Sequence, residues 1–148
     1  MLWFAITASI AVGIGFAFAS SVGRFELSPG ARVVAWTAFS LSLALRAWSV
    51  GALGRFFTVD VAIRGDHHLV ARGPYQWLRH PSYVGVIGSV ASLFLLLGNS
   101  LSLVVATAGT SAALVHRIRV EERALAAAFG DAWAAHCART WRLVPFLW

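Results

Sequence analysis

The chain has 148 residues, of which 59% are hydrophobic and 12% are charged, and its formal net charge is +6. A soluble domain carries about a quarter charged residues, so this composition indicates a membrane protein. It excludes a disordered chain, a disulfide-stabilised scaffold and a cysteine-rich metal site, because apolar residues dominate and Cys137 is the single cysteine. The basic residues, all arginine, flank apolar segments instead of forming one soluble basic face, so no nucleic-acid partner is expected.

Four apolar stretches, at roughly 2–22, 33–53, 81–97 and 101–116, approach the length of about 20 residues that a helix needs to cross a bilayer. They predict an all-α, polytopic membrane helix bundle of about four transmembrane helices, followed by a cytoplasmic C-terminal helix. Residues 1–53 form an N-terminal transmembrane hairpin in this interpretation, and 54–148 form a core that contains a second hairpin at 81–116. An alternative for the first stretch is a signal peptide ending near Ala17-Phe18-Ala19, but no basic residue precedes it.

The second hairpin has a turn signal at Gly98-Asn99-Ser100, where Asn99 or Ser100 can cap the returning helix. Small residues that permit close helix packing occur on both of its helices, unless they simply reflect frequent glycine and alanine. They are Gly85, Gly88, Ser89, Ser92, Ala106, Gly109, Thr110 and Ala113.

Arginine placement predicts the orientation in the bilayer. With four spans, nine arginines lie on one side and two, Arg24 and Arg32, on the other. The positive-inside rule then places both termini and both polar blocks on the cytoplasmic side of a plasma or inner membrane. Arg46 falls inside a span, which makes it a functional hypothesis by default, but it is near enough to the helix end to snorkel, and we favour snorkelling.

The first polar block runs from Asp66 to Tyr83 and leads directly into the third span. Pro81 is typical of a first helical turn, with His80 near its cap. The free N–H groups expected around Ser82 and Tyr83 would suit a carboxylate or phosphate. Tyr75, Trp77 and Tyr83 can offer ring faces to a cation, or belong to an interfacial aromatic belt.

The second polar block is an amphipathic helix. Ile118, Leu125, Phe129, Trp133 and His136 form one stripe at helical spacing, and Glu122 falls within it. A carboxylate on an apolar face requires a partner, because its desolvation is costly. Glu121 lies one turn after Arg117, where the alternative is a surface ion pair of about 0.3–0.5 kcal/mol.

Several motifs occur along the chain in this order: His-x-Leu-Val, Gly-Pro-Tyr, Arg-His-Pro-Ser-Tyr-x-Gly, Arg-x-x-x-Glu-Glu, Phe129-Gly130 and a closing Arg142-x-x-Pro. Over residues 51–148 this pattern resembles the isoprenylcysteine carboxyl methyltransferase family, within a wider group that includes phospholipid methyltransferases. The resemblance implies a binding site for S-adenosylmethionine without a Rossmann fold. It implies these cofactor contacts: His67, His68, Leu69, Val70, Tyr75, His80, Pro81, Ser82, Tyr83, Glu121 and Glu122, with Asp60 a weaker candidate.

The implied reaction is direct methyl transfer to an oxygen of a lipophilic acceptor from the bilayer, such as an isoprenoid or lipid-tailed molecule, with S-adenosylhomocysteine as product. The implied catalytic residues are Arg117, which would face the acceptor, and Glu121 and Glu122. A carboxylate acceptor needs no base and would be oriented by Arg117. A phenol or enol acceptor needs a base, and Glu121, Glu122 or His80 are the options for it. The alternatives are a membrane reductase or isomerase sharing the C-terminal module, and a non-catalytic membrane subunit.

Overall fold

The computed structural model describes residues 2–54 and 69–145, and every regular element in these two ranges is helical. The helices are α1 (Leu2–Ala19), α2 (Pro29–Leu53), α3 (Pro81–Leu96) and α4 (Ser100–Cys137), and a short 3₁₀ helix covers Gly73–Gln76. The prediction of an all-α fold is confirmed. Within the described ranges, α2 and α4 are long and apolar enough to cross a membrane, and α1 and α3 are shorter apolar helices.

The helices pack in the order α2, α3, α4, α1, with each helix against the next, and the 3₁₀ helix lies on α2. A small core of Val90, Phe94 and Ala106 joins α3 to α4, and Ile10 of α1 packs against it. Large apolar side chains of α2, including Trp36 and Leu41, remain exposed. Such a surface is typical of helices that face lipid.

Local signals define where the helices begin. The Ser28 hydroxyl accepts a hydrogen bond from Ala31 N at the start of α2, and Pro29 follows it in the first turn. At the start of α4 the Asn99 side chain accepts from Ser102 N at 3.0 Å, which confirms the predicted cap and hairpin turn. The buried Asn99 amide also donates to Val22 O at 3.1 Å, so it ties the α3–α4 turn to the α1–α2 loop.

Small residues of the α3–α4 hairpin contact the flanking helices. A Cβ atom on Gly85 would lie 2.7 Å from Ser42 O of α2, and one on Gly109 would lie 2.6 Å from Ser9 Cβ of α1. The glycines of the hairpin therefore allow α2 to pack closely on α3, and α1 on α4.

Helix α4 continues beyond its charge-free first half, which ends at His116, through the charged segment to Gly130. Gly130 adopts φ 48° and ψ −120°, a conformation that favours glycine, and it kinks the helix. The sequence predicted one unbroken stripe across this position. Even so, Ile118, Trp133 and His136 are buried, as the stripe predicted.

After α4 the chain runs back alongside the segment that precedes α3. Trp141 N donates to Trp77 O, Arg79 N to Trp141 O and His80 N to Arg142 O, at 2.8–3.1 Å. This pairing brings Arg142 beside the first turn of α3.

Candidate functional site

Charged and aromatic side chains gather where the first turn of α3 meets α4 and the C-terminal segment. We call this set the polar cluster. It consists of Arg46, Tyr75, Arg79, His80, Ser82, Tyr83, Arg117, Glu121, Glu122 and Arg142.

Glu121 joins α4 to α3. Its Oε1 atom accepts hydrogen bonds from the Tyr83 hydroxyl and from Arg117 Nε, both at 2.6 Å. Its Oε2 atom lies 3.6 Å from His80 Nδ1. Charge-assisted bonds of this length are strong, so the Glu121 carboxylate is held in one orientation against the first turn of α3.

Glu122 lies among three basic groups. Its Oε2 atom accepts a hydrogen bond from Arg142 Nε at 2.8 Å, and its Oε1 atom lies 3.3 Å from Arg79 Nε and 3.4 Å from His80 Nε2. The side chain is 12% exposed. The His80 imidazole therefore lies between the two neighbouring carboxylates.

The pKa values follow from these surroundings, which lie outside the charge-free, apolar parts of the helices. Burial raises the pKa of Glu122, but the adjacent His80 imidazole and the charges of Arg79 and Arg142 outweigh it, and the net shift is downward. Burial lowers the pKa of Arg117, but the hydrogen bond to Glu121 and the charges of Tyr83 and Glu121 together outweigh this, and the net shift is upward. Burial, and then the charge of Glu121, raise the pKa of Tyr75, so its phenol keeps its proton.

The first turn of α3 begins as predicted, with His80 at the cap and Pro81 as the first helical residue. The ring of His80 stacks on that of Tyr83, with centroids 5.6 Å apart and planes at 8°. The expectation of a free N–H at Tyr83 is wrong, because that group donates to His80 O at 3.0 Å. The carbonyl of the cap residue His80 therefore already accepts a hydrogen bond from one backbone N–H group of this turn.

Arg46, which the sequence favours as a snorkelling residue, has a hydrogen-bond partner in the same turn. Its Nη1 atom donates a hydrogen bond to Ser82 Oγ at 3.2 Å. The guanidinium is therefore directed at the first turn of α3.

Of the predicted site residues, the structure brings together His80, Pro81, Ser82, Tyr83, Arg117, Glu121 and Glu122, with Tyr75 buried nearby. Leu69 and Val70 are half-buried in the segment before the 3₁₀ helix. Trp77 is 54% exposed. His67, His68 and Asp60 lie outside the described residues.

Sequence reasoning gave no role to Arg142 and set Arg46 aside. Arg142 lies 20 residues after its partner Glu122, and Ser82 lies 36 residues after its partner Arg46. Neither pair has a helical spacing, so periodicity could not indicate these two contacts. The available signals were the closing Arg-x-x-Pro motif and the charge inside an apolar segment.

Comparisons with known proteins point to one family. Residues 34–127 match the model of the isoprenylcysteine carboxyl methyltransferase family. The chain is 32% identical over 113 residues to protein-S-isoprenylcysteine O-methyltransferase B of Arabidopsis thaliana, which covers 75% of this chain and 57% of that protein. It is also 30% identical over 81 residues to the uncharacterized protein YpbQ of Bacillus subtilis, covering 55% of this chain and 48% of that protein.

A solved structure of the eukaryotic intramembrane Ras methyltransferase ICMT shares the fold. The TM-score is 0.76 at 23% identity, and the match covers 97% of this chain and 51% of that chain. The chain thus spans about half the length of the relatives it matches.

Proposed function

Because this chain belongs to the isoprenylcysteine carboxyl methyltransferase family, we propose that it is a membrane methyltransferase that uses S-adenosylmethionine to methylate an oxygen of a lipophilic acceptor. The observation that carries the proposal is the polar cluster. Tyr83 comes from one motif of the resemblance and Arg117 and Glu121 from another, and the three meet in a network of 2.6 Å hydrogen bonds. Such a convergence of charged groups beside apolar helices is typical of a binding site.

The chemistry of the cluster fits the cofactor. His80 Nε2 and Glu122 Oε1 are buried and have no hydrogen-bond partner among the described residues. Carboxylates and aromatic rings suit the positively charged parts of S-adenosylmethionine, and arginines suit its carboxylate. When bound, this molecule supplies a methyl group on a sulfonium sulfur, a good leaving group.

The proposed cofactor contacts are those implied by the resemblance: His67, His68, Leu69, Val70, Tyr75, His80, Pro81, Ser82, Tyr83, Glu121 and Glu122. The proposed catalytic residues are Arg117, Glu121 and Glu122. Alignment of the reactants and exclusion of water would supply most of the acceleration.

Within this set, Arg117 holds the Glu121 carboxylate in one orientation through its hydrogen bond. A carboxylate acceptor reacts without losing a proton, so it needs no base. A phenol or enol acceptor must lose one, and Glu121 is then the base that we favour, because two hydrogen-bond donors already orient it.

The proposed topology has four transmembrane helices, α1 to α3 and the charge-free first half of α4. The charged half of α4, both termini and the polar cluster would lie on the cytoplasmic side, as the arginine distribution predicts. Residues 1–53 would form an N-terminal hairpin and residues 54–148 the catalytic core.

Binding and transfer assays test the function. The purified chain in nanodiscs is expected to bind S-adenosylhomocysteine by calorimetry and to transfer a labelled methyl group from S-adenosylmethionine to a component of a lipid extract. Glu121→Gln is expected to lower transfer at least tenfold, because the carboxylate charge is lost. Asp131→Asn removes the same charge from an exposed position of α4 and serves as the matched control. Failure of the unaltered chain to bind S-adenosylhomocysteine would refute the proposal.

A further inference from the structure

One face of α4 is exposed along most of the helix and changes from apolar to cationic. Its exposed residues follow one another at spacings of three and four, as residues on one side of a helix do. They are Leu101, Val104, Ala108, Ala112, His116, Arg119, Val120 and Arg123. Helices α1 and α3 pack on the other sides of α4. The apolar part of this face is therefore open to the acyl chains of a bilayer, and two arginines follow directly after it.

The arginine pair lies just beyond the charge-free half of α4, which ends at His116. Arg119 and Arg123 come three and seven residues later, or about 5 and 10 Å further along the helix axis. In the proposed topology α4 leaves the hydrocarbon core here and enters a headgroup layer of roughly 5–8 Å. Because long basic side chains extend toward the headgroups, both guanidinium groups can reach the phosphates of the cytoplasmic leaflet.

The two arginines have no acidic partner within the described ranges, where no carboxylate lies within ion-pair distance of Arg119 or Arg123. The neighbouring carboxylates of Glu121 and Glu122 bond within the polar cluster. Like charges four residues apart on a helix repel each other, so the pair is unfavourable by itself. An anion from outside the chain would remove this repulsion.

A backbone contact orients the pair. Arg123 Nε donates to Arg119 O at 3.0 Å, which directs the Arg123 side chain back along the helix toward Arg119. The bond uses the Nε atom, so the terminal nitrogens of Arg123 point outward from the same turn as Arg119. Guanidinium groups match phosphate oxygens through paired hydrogen bonds, and two of them on adjacent turns can hold one phosphate between them.

The pair is separate from the polar cluster. Arg119 follows Arg117 by two residues, which is about 200° around the helix. Arg117 and Glu121 bond on the side of α4 that faces α3, so the arginine pair lies on the opposite side of the same turns. The positive-inside rule accounts for arginines at this end of the bundle, but it does not select one face of one helix.

We propose that Arg119 and Arg123 bind the phosphate of an anionic phospholipid of the cytoplasmic leaflet, with its acyl chains on the exposed apolar face of α4. Charge complementarity supports the headgroup contact. Continuity of the apolar face with the pair supports a lipid over a soluble anion. The hydrocarbon of one leaflet is about 15 Å deep, or about ten residues of helix, so the chains would lie along Ala108 and Ala112.

The experiment measures lipid binding to the full chain by native mass spectrometry in a neutral detergent. The probes are dioleoylphosphatidylglycerol and dioleoylphosphatidylcholine, which have the same acyl chains and differ in net headgroup charge. We expect phosphatidylglycerol to bind at least about tenfold more tightly, since this is the order of one hydrogen bond between charged groups. The double variant Arg119→Gln, Arg123→Gln should reduce the preference to less than about twofold, because isolated exposed charges contribute little.

Arg139→Gln is the matched control for the single variant Arg123→Gln. Arg139 is exposed, lies at the same end of the bundle, and donates from Nε to Ala135 O, four residues earlier, at 3.2 Å. Arg123→Gln should lose a large part of the lipid preference, whereas Arg139→Gln should keep it. Glycerol 3-phosphate carries a similar phosphate without acyl chains, and it should not displace the bound phosphatidylglycerol.

Four outcomes overturn the proposal. They are equal binding of the two lipids by the unaltered chain, a preference that survives in the double variant, equal losses in Arg123→Gln and Arg139→Gln, and displacement of the lipid by glycerol 3-phosphate. The third would indicate general attraction to a basic end of the bundle, and the fourth a site for soluble anions. Melting temperatures report on folding, and if the double variant does not fold, the two single variants decide.

Discussion

Glu121 and Glu122 are adjacent in α4, and their side chains leave the helix about 100° apart. Glu121 therefore meets Tyr83 and Arg117, whereas Glu122 meets Arg79 and Arg142. The partners of Glu121 lie in α3 and α4, and those of Glu122 lie in the segments before α3 and after α4. Within the proposed site, this difference favours Glu121 as the base and gives Glu122 an architectural role in addition to its proposed role in the site.

Replacement of Glu122 by glutamine should destabilise the protein, because Arg79 and Arg142 would then face a neutral amide. We expect the free energy of unfolding to fall by about 2–3 kcal/mol, between the value for an exposed pair and that for a buried one. Thermal unfolding in detergent measures it, with the exposed Asp131→Asn as control. An unchanged melting temperature would contradict the architectural role.

His136 should make stability depend on pH. Burial first, and then the charges of Arg79 and Arg139, lower the pKa of His136 in the folded protein. The unfolded chain therefore binds this proton at a higher pH than the folded chain, and stability falls as the pH drops below about 6.5. Stability stops falling once the pH is below the pKa of His136 in the folded protein.

The measurement is the difference in melting temperature between pH 7.5 and pH 5.5. His136→Gln is expected to reduce this difference. His116→Gln, at an exposed position of the same helix, should leave it as large as in the unaltered chain. Equal effects of the two substitutions would be inconsistent with a specific contribution from His136.

At the scale of whole helices, the close approach of α2 and α3 depends on Gly85. Gly85→Ala would place a methyl group 2.7 Å from Ser42 O, a backbone atom that cannot move without shifting α2. We expect a loss of about 1–3 kcal/mol in stability.

Gly51→Ala is the matched control for that substitution, because Gly51 lies in α2 with no atom near its would-be Cβ. Alanine favours a helix over glycine by up to about 1 kcal/mol, so this variant should be as stable as the unaltered chain or more so. Melting temperatures of both variants check the expectation. Equal melting temperatures would show that the helices tolerate separation.

The helix starts at α3 and α4 were predictable, because Pro81 and Asn99 act through local backbone energetics. Other features of the structure could not be predicted from the sequence. The kink at Gly130 depends on a backbone conformation that periodicity does not encode, and the contact between Arg46 and Ser82 depends on how α2 packs on α3. The motifs therefore indicated which residues of α3 and α4 belong to the site but not their partners elsewhere.

At the scale of the molecule, the two ends of the bundle differ. At one end the α1–α2 loop bonds to the α3–α4 turn, with Phe25 N donating to Gly98 O at 2.8 Å. At the other end the C-terminal segment closes against residues 77–80, beside the polar cluster. Most of the arginines belong to this second end, so the positive-inside rule predicts that it faces the cytoplasm.

Accessibility of single cysteines tests this orientation. Cys137→Ser removes the one native thiol, and Val22→Cys or Ala138→Cys then places a thiol at an exposed position near either end of the bundle. A membrane-impermeant maleimide should label position 22 in right-side-out vesicles and position 138 in inverted vesicles. The reverse pattern would invert the topology, and labelling of both positions from one side would contradict the four-span arrangement, because an odd number of crossings must separate them.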